Sequence, residues 1–256
     1  RGNMSGSKSP RSRVAALVRD LPRSGIRDFF EIVSTRKGVI SLGIGEPDFV
    51  TPWRIRESSI YALDHGATTY TSNRGLLGLR RAIARYVGKA FGVGYDPETE
   101  ILVTVGVSQA LDLAIRALVE PGDEVLYHEP CYVAYNPVIR MAHAVPVPVA
   151  TTPENGFRLT RAMLEAKITP RTRVLLLNFP TNPTGAVLDR AEVAAIARFA
   201  VAHDLTVVTD EIYAELTYEG RHVSIASMPG MRERTVFLHG FSKGWAMTGF
   251  RVGYAC

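Results

Sequence analysis

Short apolar runs and amphipathic segments alternate through the middle of this chain, and this alternation limits the possible folds more than any other feature. The runs have the length of strands, and the segments between them repeat apolar residues at helical spacing. Strand-like segments lie at 101–105, 124–127, 174–178, 205–209 and 235–239, and helix-like segments at 109–119, 132–141 and 190–203. The pattern predicts an α/β fold with a mostly parallel central sheet. Because the strands are apolar almost throughout, we expect helices on both faces of the sheet.

The composition is typical of a soluble globular protein. Of the 256 residues, 46% are hydrophobic and 21% are charged, which suffices for a sizeable core. The apolar stretches are far shorter than the roughly 20 residues needed to cross a bilayer, so no membrane partner is expected. The net charge of +5 comes from scattered basic residues without a recognised nucleic-acid motif. We therefore expect an anionic small molecule, and no nucleic acid, as the partner.

Cysteine content and the first residues bear on location. Cys131 and Cys256 are too few for a disulfide framework, and no paired metal-ligand spacing is present, so we predict a cytoplasmic protein without a metal site. The first nineteen residues contain five basic residues and no acid, which superficially resembles a transit peptide. We favour a frayed basic leader, with tag residues before Met4.

The most informative residues follow the predicted strands, where open parallel sheets bind their ligands. Lys243 comes directly after one strand, among small, apolar and hydroxyl residues. Desolvation lowers the pKa of an amine and favours the neutral nucleophile that a carbonyl cofactor needs. Ser242 and Arg251 flank this lysine and could hold a phosphate. Taken alone, however, such a lysine is more often a surface residue.

Three further segments have the same placement. Asp210 ends an apolar strand and Tyr213 follows it, so the carboxylate could keep a pyridine nitrogen protonated, or could simply cap a helix. Asn182 lies in a turn fixed by prolines and could present its amide to a ligand oxygen. The segment 106–108 leads from a strand into a helix and suits a phosphate. Each signal is weak alone.

Together these segments resemble the class I and II aminotransferases of the type I pyridoxal-phosphate fold. The motifs that carry the resemblance are Ser-Lys-x-x-x-Met-Thr-Gly-x-Arg-x-Gly-Tyr, starting at Ser242, and Asn-Pro-Thr-Gly, starting at Asn182. The match runs from about Ser41 to the last residue, and the two motifs in this order are highly specific.

The resemblance implies pyridoxal 5'-phosphate as the cofactor and a role for each matching residue. Lys243 would form a Schiff base with the cofactor and then shuttle the substrate proton, with Asp210 and Tyr213 completing the catalytic set. The implied cofactor-binding residues are Tyr70, Gly106, Val107, Ser108, Tyr132, Asn182, Asp210, Tyr213, Ser242, Lys243 and Arg251. Among these, Tyr132 would stack on the ring, and Tyr70 would reach the phosphate of a neighbouring subunit, which implies a homodimer. Gly45 and Asn182 would lie at the substrate.

The resemblance also predicts the domain organisation. Residues 1–40 would form a leader and part of a small domain, and residues 41–256 a large cofactor-binding domain that is incomplete at its C-terminal end. Relatives continue into a segment that completes the small domain and carries an arginine for the substrate carboxylate, and we expect that segment to be absent here. A second departure is Gly240, where many relatives have a serine that binds the phosphate.

The predicted activity is ping-pong transfer of an amino group from an L-amino acid to a 2-oxo acid. The cofactor residues do not determine the reaction type, so a C–S lyase or decarboxylase stays open as an alternative. A non-catalytic module, such as the ligand-sensing half of a transcription regulator, is a further alternative. The sequences around Gly45 and Asp210 most resemble those of bacterial aminotransferases that act on aspartate, aromatic amino acids or N-acetyl-diaminopimelate.

Overall fold

The computed structural model describes residues 13–21, 38, 43 and 45–256, and most of the predicted leader lies outside these residues. Seven strands form one sheet. They are β1 (Leu102–Thr104), β2 (Glu124–Glu129), β3 (Val145–Ala150), β4 (Thr172–Asn178), β5 (Thr206–Asp210), β6 (Thr235–Gly240) and β7 (Gly253–Ala255). The strand order across the sheet is β1-β7-β6-β5-β4-β2-β3.

Most of the sheet is parallel. The pairs β2–β3, β2–β4, β4–β5 and β5–β6 are parallel, whereas β7 runs antiparallel to both β6 and β1. The last residues of β4 and β5, Asn178 and Asp210, are register partners. The carboxyl ends of the parallel strands therefore lie along one edge of the sheet, as the sequence predicts.

Helices cover both faces of this sheet. They are α1 (Ala16–Arg19), α2 (Trp53–Asp64), α3 (Leu77–Phe91), α4 (Gly106–Leu118), α5 (Tyr135–Met141), α6 (Arg161–Glu165) and α7 (Arg190–Ala202). Side chains alternate between the faces along β4. Leu175 and Leu177 pack in a core cluster with α7, whereas Val174 and Leu176 pack in another with α4 and α5. The predicted α/β architecture is thus confirmed.

Two strands were not predicted, and both have short or unusual sequences. In β3, prolines occupy positions 146 and 148, which argues against a strand in the middle of a sheet. The strand is tolerated because it lies at the edge and pairs only with β2. β7 has three residues, too few for a period to be read. The remaining boundaries agree with the sequence predictions to within a few residues.

The region before the sheet has little packing of its own. α2 buries none of its residues, and α3 contributes Ile83 and Val87 to a core cluster with Phe237 and Tyr254. The division of the chain at residues 40 and 41 stays a prediction. In the part of the chain that the structure describes, no helix is both long enough and apolar enough to span a membrane.

Candidate active site

The segments that follow the parallel strands meet around one cavity of about 480 Å³. Loops after β2, β4, β5 and β6 contribute to its wall, together with the start of α4 and the segment that leads into β7. The predicted site residues that line it are Gly45, Val107, Ser108, Tyr132, Asn182, Asp210, Tyr213, Ser242, Lys243 and Arg251. Residues far apart in sequence are therefore brought together as predicted, although Gly106 and Tyr70 are not part of the lining.

Lys243 is half-buried and its amine has contacts on two sides. Its Nζ donates a hydrogen bond to the Gly45 carbonyl and lies 5.7 Å from the centre of the Tyr213 ring. Burial lowers the pKa of this amine, and the nearby Arg251 acts in the same direction. The carboxylates of Glu46 and Asp210 oppose the change, but the pKa remains below its ordinary value. The amine is thus shifted toward its neutral, nucleophilic form.

Asp210 is a buried carboxylate whose hydrogen-bonding partners are uncharged. Its Oδ2 accepts a hydrogen bond from the Tyr135 hydroxyl at 2.9 Å, and its Oδ1 accepts one from the Ile212 amide at 3.2 Å. Burial raises the pKa of Asp210 to about 6, although both hydrogen bonds favour the ionised form. The bond to Ile212 resembles a cap, but no α-helix follows, and the carboxylate also lines the cavity.

Tyr213 and Asn182 form a polar pair in the same wall. The Asn182 amide nitrogen lies 3.4 Å from the Tyr213 hydroxyl, and the Asn182 backbone N–H donates to Asn178 Oδ1 at 3.0 Å. Asn178 in turn donates to the backbone carbonyl of Asp210 at 2.8 Å. Burial, with a contribution from the Asp210 charge, raises the pKa of Tyr213 to about 12. The hydroxyl is therefore a hydrogen-bond donor at neutral pH.

The start of α4 and Arg251 form the cationic side of the cavity. Gly106 begins the helix with φ of 70°, and Val107 and Ser108 occupy its first turn. Arg251 donates to the Thr248 carbonyl at 3.0 Å, and its guanidinium rests against Gly106. A Cβ atom at position 106 would come within 2.5 Å of Arg251 Nη2. Helix amide donors, a hydroxyl and a guanidinium thus meet in an arrangement suited to a phosphate.

Replacing Gly106 with alanine should test this arrangement. The positive φ disfavours alanine by roughly 1–2 kcal/mol, and the new methyl group displaces the Arg251 side chain. We expect a modest loss in the free energy of unfolding and a larger loss of affinity for phosphate-bearing ligands. Urea denaturation and calorimetric titration with pyridoxal phosphate measure the two effects. An unchanged affinity for pyridoxal phosphate would contradict a role for the present position of Arg251 in phosphate binding.

Two of the predicted cofactor-binding residues, Tyr132 and Tyr70, have exposed side chains. Tyr132 is 36% exposed and meets Tyr135 edge-on, with ring centres 5.7 Å apart, at the cavity wall. Tyr70 is fully exposed and has no part in the cavity lining. Its predicted contact is with a neighbouring subunit, so its role stays a prediction.

Gly240 stands where the family resemblance implies a phosphate-binding serine. A Cβ atom there would lie 3.0 Å from the Gly253 Cα atom and 3.0 Å from the Val252 carbonyl oxygen. β6 and β7 approach too closely at this point for a side chain to fit without a shift. The hydroxyl of Ser242, two residues later, lines the cavity instead.

Sequence reasoning missed several lining residues. Tyr135 was placed in a helix without a role, yet it is the hydroxyl partner of Asp210. Glu46 and Thr248 also line the cavity, and the Thr248 hydroxyl donates to the Glu46 carboxylate. Nothing in the local sequence distinguishes Tyr135 from a core tyrosine, because its partner is 75 positions away.

Comparison with known proteins agrees with this geometry. A family model for class I and II aminotransferases matches residues 37–256. The chain is 52% identical over 244 residues to the putative aminotransferase YugH of Bacillus subtilis, covering 95% of this chain and 63% of that protein. It is 46% identical to aromatic-amino-acid aminotransferase 2 of Thermococcus litoralis, covering 90% and 60% respectively.

A solved structure gives the same result. The N-succinyldiaminopimelate aminotransferase of Mycobacterium tuberculosis superposes with a TM-score of 0.90 at 42% identity, covering 95% of this chain and 64% of that one. This chain belongs to the class I and II aminotransferase family, as the sequence motifs predict. It spans 60% to 64% of the length of these three proteins.

Proposed function

We propose that this protein is a pyridoxal-phosphate-dependent aminotransferase that moves an amino group from an L-amino acid to a 2-oxo acid by a ping-pong mechanism. The observation that carries the proposal is the pairing, in one cavity, of a lysine with a lowered pKa and a buried carboxylate. Such pairs of perturbed groups in a cleft are typical of catalytic sites. The aminotransferase names of the relatives support this reaction over the lyase and decarboxylase alternatives.

The donor set of the cavity fits the cofactor. Hydroxyls of Ser108 and Ser242, the Arg251 guanidinium and the first amides of α4, at Gly106 and Val107, suit a phosphate. A Cβ atom at Gly106 would collide with the Arg251 guanidinium, so the glycine lets this cation lie against the first turn of α4.

The other side of the cavity suits the cofactor ring. Asp210 accepts one hydrogen bond at each carboxylate oxygen, from a hydroxyl and from an amide. Each oxygen keeps a lone pair, so the carboxylate could also accept a hydrogen bond from a protonated ring nitrogen. Tyr213 and Asn182 would donate hydrogen bonds to the ring oxygen. Tyr132 would cover one face of the ring.

The chemistry divides between the cofactor and the chain. When bound, pyridoxal phosphate supplies an electron-withdrawing ring and the carbonyl group that takes up the amino group. Lys243 Nζ would hold the carbonyl carbon and then, as a free amine, move the proton at the substrate Cα. Gly45 and Asn182 would border the substrate, because a glycine lets the backbone approach a ligand closely.

The names of the relatives suggest which classes of substrate to test. Their names support aromatic amino acids and N-acylated diaminopimelate as donors to test, and aspartate is a further candidate from the sequence motifs. The protein, expressed to its natural C-terminus, should convert one of these donors and a 2-oxo acid with parallel lines in double-reciprocal plots. Release of ammonia, a thiol or carbon dioxide in place of a new 2-oxo acid would contradict transamination.

We also propose a cytoplasmic homodimer with shared active sites. Tyr70 is fully exposed, and α2 buries none of its residues, so this region has surface available for a second subunit. The low cysteine content supports the cytoplasmic location. Sedimentation analysis should give the mass of a dimer, and a fully active monomer would contradict the proposal.

A further inference from the structure

A second polar cluster lies beneath the turn that carries Lys243. It consists of Tyr86 from α3, Glu215 from the 3₁₀ turn Ala214–Leu216 and His239 from β6. We call it the Tyr86–Glu215–His239 cluster. None of its members lines the cavity described above. The site chemistry leaves this cluster without a role.

Glu215 is the centre of the cluster. The Tyr86 hydroxyl donates a hydrogen bond to Glu215 Oε1, and His239 Nε2 lies 3.1 Å from the same oxygen. The histidine contact does not have hydrogen-bond geometry and is a close electrostatic contact. Burial acts to raise the pKa of Glu215, but the contacts with His239 and Tyr86 outweigh it and leave the pKa below its ordinary value. Glu215 is therefore a partly buried carboxylate held in its ionised form.

His239 is fixed in one orientation. It is completely buried, and its Nδ1 accepts a hydrogen bond from the Gly240 amide at 2.7 Å. In the neutral ring this leaves the proton on Nε2, the atom that faces Glu215. The ring also stacks on Phe237 and Tyr254, with centres 5.7 Å and 5.5 Å away. The last residues of β6 are thus tied to Glu215.

The turn that follows β6 rests on this cluster at two consecutive residues. A Cβ atom at Gly244 would lie 3.0 Å from Glu215 Oε2, so the backbone next to Lys243 lies directly against the carboxylate. The Trp245 ring meets the Tyr86 ring edge-on at 5.2 Å. In the sequence, Lys243 therefore lies between His239 on one side, which belongs to the cluster, and Gly244 and Trp245 on the other, which contact it.

We propose that Glu215, supported by Tyr86 and His239, is a positioning residue that holds the turn of Lys243 so that its amine reaches the carbonyl of the cofactor. The inference rests on the proposed function, because it concerns how the lysine engages pyridoxal phosphate. Glu215 does not line the cavity, and it acts through the backbone at Gly244.

Glu215→Gln tests the proposal, because glutamine keeps the shape of the side chain and removes its charge. The rate at which pyridoxal phosphate becomes bonded to Lys243 is read from the growth of its visible absorption band after mixing. Pyridoxamine phosphate lacks the carbonyl and cannot bond to the lysine, so its affinity reports on the cavity alone. We expect covalent capture to slow by about 10- to 100-fold while the affinity for pyridoxamine phosphate changes less than about twofold.

Two further variants complete the test. Glu124→Gln makes the same change at a buried carboxylate that begins β2, bound there by Thr169 and Arg171, and should leave the capture rate unchanged. Tyr86→Phe removes only the hydroxyl and should slow capture to a smaller extent, so it carries the test if Glu215→Gln does not fold. An unchanged capture rate in the folded variant, or an equal loss for both ligands, would overturn the positioning role. Absence of the band in the unaltered protein would instead overturn the proposed function.

Discussion

Replacing Lys243 with alanine should abolish the visible absorption of bound pyridoxal phosphate and lower turnover by at least about 1,000-fold. Among the described residues, Lys243 is the lysine that lines the cavity, and its amine combines a lowered pKa with contacts to Gly45 and Tyr213. Alanine would remove both the proposed point of covalent attachment and the amine proposed to move the substrate proton. The residues proposed to bind the phosphate are untouched, so non-covalent affinity for the cofactor should fall much less.

Spectroscopic titration of the purified variant with pyridoxal phosphate measures the first effect, and a donor assay measures the second. Lys167→Ala, at an exposed lysine outside the cavity, is the matched control and should behave like the unaltered protein. A visible band that persists in Lys243→Ala and is lost in another lysine variant would assign the attachment elsewhere.

Replacing Asp210 with asparagine should lower turnover by about 100- to 1,000-fold, since it would remove the charge proposed to stabilise a protonated ring nitrogen. Asparagine preserves the shape of the side chain and can keep contacts to Tyr135 and the Ile212 amide. The loss should therefore appear in the rate of the chemical step and not in cofactor binding. Rapid-mixing measurements of donor conversion separate the two, and an unchanged conversion rate would contradict the role of the carboxylate.

The same substitution should stabilise the protein without cofactor at neutral and higher pH. Burial raises the pKa of Asp210 from 3.8 to about 6, so the folded chain holds this proton more tightly than the unfolded chain does. The resulting stabilisation is present below the unfolded pKa and is lost as the pH rises through 6. Asp210→Asn should therefore exceed the unaltered protein by up to about 3 kcal/mol in unfolding free energy at pH 8.

Urea denaturation across the pH range measures this difference. The advantage of the variant should shrink as the pH falls from 8 toward 4, because the carboxyl is then neutral in the folded chain. If the two proteins show the same dependence of unfolding free energy on pH, the buried charge of Asp210 does not destabilise the folded chain. Functional sites often contain residues that lower the stability of the fold. Asp210 would be such a residue, because it lines the cavity.

The sheet could be predicted from sequence because its central strands are buried on both faces. Segments such as 174–178 and 235–239 are mostly apolar and are separated by helical patterns, so the order of strands and helices could be read from the sequence. β3 escaped prediction because its two prolines are acceptable only at a sheet edge, and edge position is a property of the whole sheet. β7 escaped because three residues carry no period.

The site was predictable wherever it follows a strand. Asp210 is the last residue of an apolar strand, and Asn182 and Lys243 follow such strands by a few residues, so parallel topology brings these positions together. Their partners were not predictable in the same way. Tyr135 binds Asp210 across 75 positions, and Glu215 meets Tyr86 across 129, so only the folded chain shows these contacts.

The central claim is that this chain's cavity performs amino-group transfer, and a single half-reaction tests it most directly. The purified protein, expressed to its natural C-terminus and loaded with pyridoxal phosphate, is mixed with one amino donor in the absence of any 2-oxo acid. Chromatography then quantifies the products. The account predicts one pyridoxamine phosphate and one new 2-oxo acid for each active site. Consumption of the donor with the cofactor still in its aldehyde form, or no consumption of any donor, would contradict it.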